Sequence, residues 1–395
     1  MSPGTRLFTI GNAMALGLFL HLSVAAWNAF WGPSYGSGPD AAGFHANAVA
    51  FAAGRWLGDF QLVNTYTYAL GFVYRWTVSS LFLGCCLSCV AWLGSALVLT
   101  RMMRLLALPD DHQVWAMLLY ALFPSTLLMT SVTLREAYQL LAVNCVVYLA
   151  LRMYSARRME ARLLVALALG IALMGTLQTA LLLAGLSIVA MIILVMLFDK
   201  RDPHALLKVI LTLFGFAVVG YFGSSVLLQK VFNSNVDWAA SVQLRQESWQ
   251  QSARAAYSVG MRITSNFDLM LFIPLALFHY LFEPMPWKLA TLSDTALLLE
   301  NLIRALLLGF VVAGFVMKAF GERQRVALVF LSYLVIETIW AVGTINWGTA
   351  ARHHIPAFGL LLLAAFAFSA KSAPLTRDLL NKGQNKEGNA IHGSN

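Results

Sequence analysis

Three short stretches of this 395-residue chain carry side chains that can do acid–base or anion chemistry, and each sits at the end of an apolar run. The first is GPDAAGFHANAVAFAAG, residues 38–54, in which His45 follows Asp40 by five positions. A carboxylate and an imidazole at the head of one helix can take up and hand on a proton. The second stretch is the pair Arg135-Glu136. The third is Asn346-Trp347-Gly348-Thr349-Ala350-Ala351-Arg352-His353-His354-Ile355-Pro356. Arginine in a short non-cytoplasmic turn runs against the usual placement of positive charge, so Arg135 and Arg352 each call for an anionic partner such as a phosphate.

Every one of these residues also has a plainer use. Asp40 fits the cap of a helix over 41–54, and capping and proton transfer are compatible. Glu136 lies three residues after Thr133, the spacing of a capping box. Arg135 fits a side chain snorkelling to ordinary lipid phosphates, and His45 one that faces interfacial water. Asn346-x-Gly348-Thr349 makes a tight turn with free backbone donors, and Arg352 and His354 follow just before Pro356 restarts a helix.

The elements that must position these groups are membrane spans. Of the residues, 59% are hydrophobic and only 11% charged, against about a quarter charged in soluble domains. That balance predicts an all-α polytopic membrane protein. Apolar runs fall at 7–27, 78–100, 114–129, 137–153, 163–174, 179–198, 207–228, 298–316, 326–342 and 355–368. The count is about ten transmembrane helices across a hydrocarbon core of about 30 Å. Residues 269–282 are apolar but short, and a full crossing there would put the basic KAFGERQR segment outside; they are read as re-entrant or surface-lying. Interfacial helices are expected in the first outer loop, 31–76, and in a later one around Trp238, Val242, Arg245, Trp249 and Tyr257. Trp287, Tyr66, Tyr68, Tyr74 and Trp76 read as anchors at the membrane interface.

Charge sets the orientation. The net +9 is spread over many short loops, which fits membrane lipids and no nucleic acid. Arg101 and Arg104, Arg152 to Arg162, Lys200 and Arg201, Lys318 to Arg325, and Lys371 and Arg377 mark cytoplasmic sides. Both termini are then cytoplasmic, and Asp40, Arg135 and Arg352 share the outer face. Residues 1–370 read as one transmembrane domain and 371–395 as a disordered cytoplasmic tail. His21 reads as a polar contact inside the bundle. Cys85, Cys86, Cys89 and Cys145 fall inside spans and read as packing residues. No GxGxxG, Walker or HExxH motif occurs, which argues against a nucleotide enzyme or an ATP-driven pump.

Taken in order, Asp40-x-x-x-Phe44-His45-x-x-Ala48, Asn64-x-Tyr66 through Gly71-x-x-Tyr74, Leu134-Arg135-Glu136, Pro284-x-Pro286-Trp287 and Asn346-x-Gly348-Thr349-x-x-Arg352 resemble the C-type integral-membrane glycosyltransferases. The resemblance is particularly to the bacterial relatives of the protein O-mannosyltransferases that occur in cell-surface polysaccharide pathways. Ala41 stands where many relatives place a second acid, and Phe44 where Tyr is common. The resemblance implies transfer of a sugar from a polyprenyl-phosphate carrier to a glycan or lipid acceptor at the outer face of the bacterial cytoplasmic (inner) membrane. It makes Asp40 the catalytic residue, which takes or orients the proton of the acceptor hydroxyl, and implies substrate contacts from His45, Arg135, Glu136, Asn346, Arg352 and His354. A divalent cation shared by Asp40 and the phosphate would also suit that chemistry. Two competing readings keep the lipid-linked saccharide: a polysaccharide polymerase, and a transporter that needs no catalytic acid. A membrane-assembly protein, with the polar turns as partner contacts, is a third.

Overall fold

Local rules set most helix ends. In the computed structural model, which describes residues 9–33, 38–55, 65–156, 160–197, 242–244, 247, 255–257, 261–317 and 324–369, Thr9 caps α1 (Ile10–Phe30) by accepting the Asn12 N–H at 3.2 Å. Two shorter helices, α2 (Gly38–Ala52) and α3 (Thr65–Trp76), follow and pack on each other. Ser80 caps α4 (Leu81–Leu105). After α5 (Asp110–Leu122), Pro124 interrupts the chain: it lacks the N–H that would bond the Tyr120 carbonyl, Phe123 turns extended, and α6 (Pro124–Met129) starts anew. Then come α7 (Glu136–Ala156), α8 (Ala161–Leu177) and α9 (Thr179–Leu197).

A capping box starts α10 (Asn266–Phe282), in which Ser265 and Asp268 satisfy each other's backbone N–H groups. The last four helices are α11 (Leu292–Met317), α12 (Gln324–Gly343), α13 (Trp347–His353) and α14 (Ile355–Ser369).

Six of these helices, α1, α4, α7, α9, α11 and α12, are long and apolar enough to cross a bilayer. The pair α13 and α14, bent by 64°, forms a seventh candidate. The chain is thus a helical, polytopic membrane protein. Against the expected ten spans, 114–129 is the broken pair α5 and α6, and 163–174 is the 17-residue α8. The stretch 269–282 falls in α10, a short apolar helix of 17 residues that packs on α12. The expected span 207–228, most of the second interfacial helix and the tail 371–395 lie outside the described residues.

The core is built around α14. Apolar on every side, it is buried continuously from Ile355 to Ala365 and packs against α5, α7, α11 and α12. α7 closes the other half against α4 and α8. His21 lies wholly inside, its Nδ1 donating to the Gly17 carbonyl at 2.7 Å and its ring stacked 3.9 Å from Trp92. Nε2 meets the Thr130 hydroxyl at 3.0 Å, as a bundle contact should. All four cysteines are free thiols. Two aromatic residues depart from the anchor reading: Tyr66 and Tyr74 are buried, while Trp76 and Trp287 stay exposed.

The crossing of α1 with α4 and α5 depends on Gly17. A Cβ there would meet the Trp92 ring at 2.5 Å and Ala121 Cβ at 2.7 Å. Neither neighbour is a flexible side-chain end, so Gly17→Ala is expected to destabilise the fold by about 1–3 kcal/mol, read from denaturant unfolding in detergent.

Candidate functional site

The late turn owes its shape to two residues. Asn346 caps α13: its Oδ1 accepts the Gly348 N–H at 2.8 Å and the Thr349 N–H at 3.3 Å. At the other end, Pro356 has no N–H for the Arg352 carbonyl, so the helix stops and α14 leaves at a new angle. The turn is tied down from outside as well. The Tyr257 N–H donates to the Ile345 carbonyl at 2.8 Å, and Trp347 Nε1–H donates to Asp294 at 2.9 Å.

Arg352 projects from this turn towards two acids on different helices. Its Nε and Nη2 both reach Glu136 Oε1, at 2.8 and 2.7 Å, and its Nη1 forms an ion pair with Asp40 Oδ2. Asp40 stands in the first turn of α2, where the helix dipole favours an acid. Its side chain is 58% exposed, whereas that of Glu136 is 6% exposed. One guanidinium therefore holds a sheltered carboxylate on one side and an accessible one on the other.

The capping box expected at Thr133 and Glu136 does not form. Glu136 itself opens α7 and turns to Arg352, and the Thr133 hydroxyl donates to the Ala41 carbonyl at 2.9 Å. That bond ties the head of α2 to the turn before α7. A side chain larger than Ala41 would have to fit a buried position beside it.

Arg135 lies alongside. Its guanidinium sits over the Phe44 ring at 5.2 Å, and Nη1 donates to the Leu177 carbonyl at 3.1 Å. Nε is buried without a partner. Burial lowers the pKa of this group; Glu136 opposes that shift, Arg352 adds to it, and Asp40 opposes it again.

The other expected residues go elsewhere. His45 Nδ1 bonds the Tyr74 hydroxyl at 3.0 Å, and burial lowers the pKa of the imidazole. The side-chain oxygen of Asn346 is occupied by the cap. His353 stacks on Trp340 at 3.8 Å and bonds the Thr344 hydroxyl at 2.8 Å. His354 turns inward, where Nδ1 meets Glu337 Oε2 at 2.5 Å and Nε2 donates to the Tyr280 carbonyl at 3.2 Å. The structure thus brings Asp40, Glu136 and Arg352 into contact with Arg135 beside them, and gives His45, Asn346 and His354 other partners.

Sequence reading passed over Glu300, Arg304 and Glu337, which are all buried in spans. The signal was present, since an ionisable residue inside an apolar run marks a partner or a function by default. Among the described residues no group of three or more His, Cys, Asp or Glu side chains is placed to hold a metal ion. A divalent cation at Asp40 would compete with Arg352 for the same oxygen. No protein-family model, curated protein or solved structure matches this chain.

Proposed function

We propose that this chain is a membrane glycosyltransferase that moves a sugar from a polyprenyl-phosphate carrier to a glycan or lipid acceptor at the outer face of a bacterial inner membrane. The observation that carries the reading is the accessible carboxylate of Asp40, held by an arginine that Glu136 pins from behind. Asp40 takes the proton of the acceptor hydroxyl as its oxygen bonds to the anomeric carbon. The bond from that carbon to the carrier phosphate breaks, and the phosphate leaves with the electron pair. Arg135 supplies fixed positive charge to the leaving phosphate, where negative charge develops in the transition state.

Arg352 has a different part from the one the resemblance implied. Both edges of its guanidinium are engaged by carboxylates, so it orients Asp40 and leaves the phosphate to Arg135. It also provides the positive charge between the two acids, and the proposed step uses no metal ion.

Purified protein in proteoliposomes should transfer a radiolabelled sugar from polyprenyl phosphate to extracted cell-surface glycan or lipid. Asp40→Asn should lower the rate at least about 100-fold, because the amide cannot accept the proton. The melting transition should hardly move, since a pair with one exposed partner contributes about 1 kcal/mol or less. Full activity in Asp40→Asn would remove Asp40 from the mechanism, and with it the reading. Joining of whole repeat units in place of one sugar would identify a polymerase.

A further inference from the structure

We propose that Glu337 is a positioning residue for Arg352, acting through His354. Three consecutive residues at the end of α13 fasten to three different places. Arg352 holds α2 and α7 through Asp40 and Glu136, His353 holds the end of α12 through Thr344 and Trp340, and His354 holds α12 and α10. Adjacent residues on a helix point about 100° apart, so this short turn is a joint with three arms.

The inner arm is the most fully determined of the three. The Tyr280 carbonyl is open to a donor because residue 284, whose N–H would close that turn of α10, is a proline. A carbonyl only accepts, so His354 Nε2 carries a proton and donates it there. The single proton on the line between Nδ1 and Glu337 is then shared by the pair, and both protonation states are neutral overall. With both nitrogens engaged, the ring can neither flip nor swing. His354 is also the C-cap of α13, its own N–H bonded to the Ala350 carbonyl at 3.0 Å, so fixing the ring fixes the helix end that carries Arg352. Glu337 is fully buried and meets His354, not Asp40 or Arg352. Its effect on the outer cluster therefore runs through the backbone of the joint.

Two substitutions test this. Glu337→Leu fills the volume and removes the hydrogen bond, while Glu337→Gln keeps a neutral partner for Nδ1. In proteoliposomes with a polyprenyl-phosphate sugar as donor, Glu337→Leu is expected to lower kcat about tenfold or more with little change in KM, and Glu337→Gln to restore most of it. Hydrogen exchange of the peptides covering α13 should quicken in the Leu variant and recover in the Gln variant, with α4 and α7 unchanged. Wild-type turnover and unaltered α13 exchange in Glu337→Leu would overturn the proposal. Faster exchange across α4, α7 and α13 together would also overturn it, by reducing Glu337 to a general packing role. The kinetic arm rests on the transfer reading, whereas the exchange arm does not. A wild-type protein that transfers no sugar defeats only that reading, and the exchange result still decides the role of Glu337.

Discussion

Arg352→Ala should destabilise the protein by about 2–5 kcal/mol, far more than loss of either carboxylate's share of an exposed pair. Glu136 is the reason. Its side chain is nearly enclosed and one of its oxygens already lacks a partner, so removing the guanidinium leaves a sheltered charge with nothing to balance it. Asp40 would lose the same arginine at much lower cost, because water reaches its carboxylate. A double-mutant cycle separates the two arms of one side chain. Coupling between Arg352→Ala and Glu136→Ala should be about 2 kcal/mol or more, and coupling between Arg352→Ala and Asp40→Ala under about 1 kcal/mol. Arg352→Lys should recover little, since a point charge on a flexible stem cannot span two carboxylates on different helices. Equal couplings on the two arms would contradict the division of the cluster into a structural and an accessible acid.

That division was only half legible in the sequence. Composition and apolar run length were enough to call for a helical membrane protein, because burial in lipid demands long apolar helices and little else. They could not count spans, since α8 and the pair α5 and α6 are short or broken while still packing within the bundle. Charge placement suggested that the turns at Asp40, Arg135 and Arg352 share a face, and in the structure Asp40, Glu136 and Arg352 touch. Spacing alone misled at Thr133 and Glu136. The capping box is a local motif, and both residues instead serve partners 92 and 216 positions away.

The inner residues were missed for the opposite reason. Glu337 interrupts its apolar run singly, with no motif around it, whereas Glu300 and Arg304 share one run at the i, i+4 spacing of a helical ion pair; the partners of Glu300 and Glu337 on other elements are set by helix packing. Asn346 and His354 were grouped with Arg352 because they are near it in sequence. Yet residues two apart on a helix face opposite ways, so His354 was bound to leave the side on which Arg352 works.

Arg304→Leu should cost about 3–5 kcal/mol, because it strands Glu300 inside the bundle. Both residues are almost wholly buried in α11, one turn apart, and Arg304 Nη2 donates to Glu300 Oε2 at 3.1 Å. The Arg304 guanidinium also lies 5.0 Å from the centre of the Phe123 ring and bonds Asn301, which in turn donates to the Glu283 carbonyl at 2.5 Å. Glu300 has a second duty. Its Oε1 accepts the Ser125 N–H at 2.8 Å and its Oε2 the Ser125 hydroxyl at 2.5 Å, which satisfies a backbone donor at the start of α6 that has no partner within the helix. The carboxylate charge is thus needed only because Arg304 is there, while the acceptor oxygen is needed by α6 in any case. It follows that Arg304→Leu combined with Glu300→Gln should regain most of the loss, since the amide carbonyl still accepts from Ser125 and no charge remains. Arg304→Leu with Glu300→Leu should regain less, by the cost of one unmet helix donor, about 1–3 kcal/mol. Denaturant unfolding in mixed micelles would rank the three variants. If the two double variants proved equally stable, α6 would not depend on Glu300 for its cap, and the pair would be an ion pair alone.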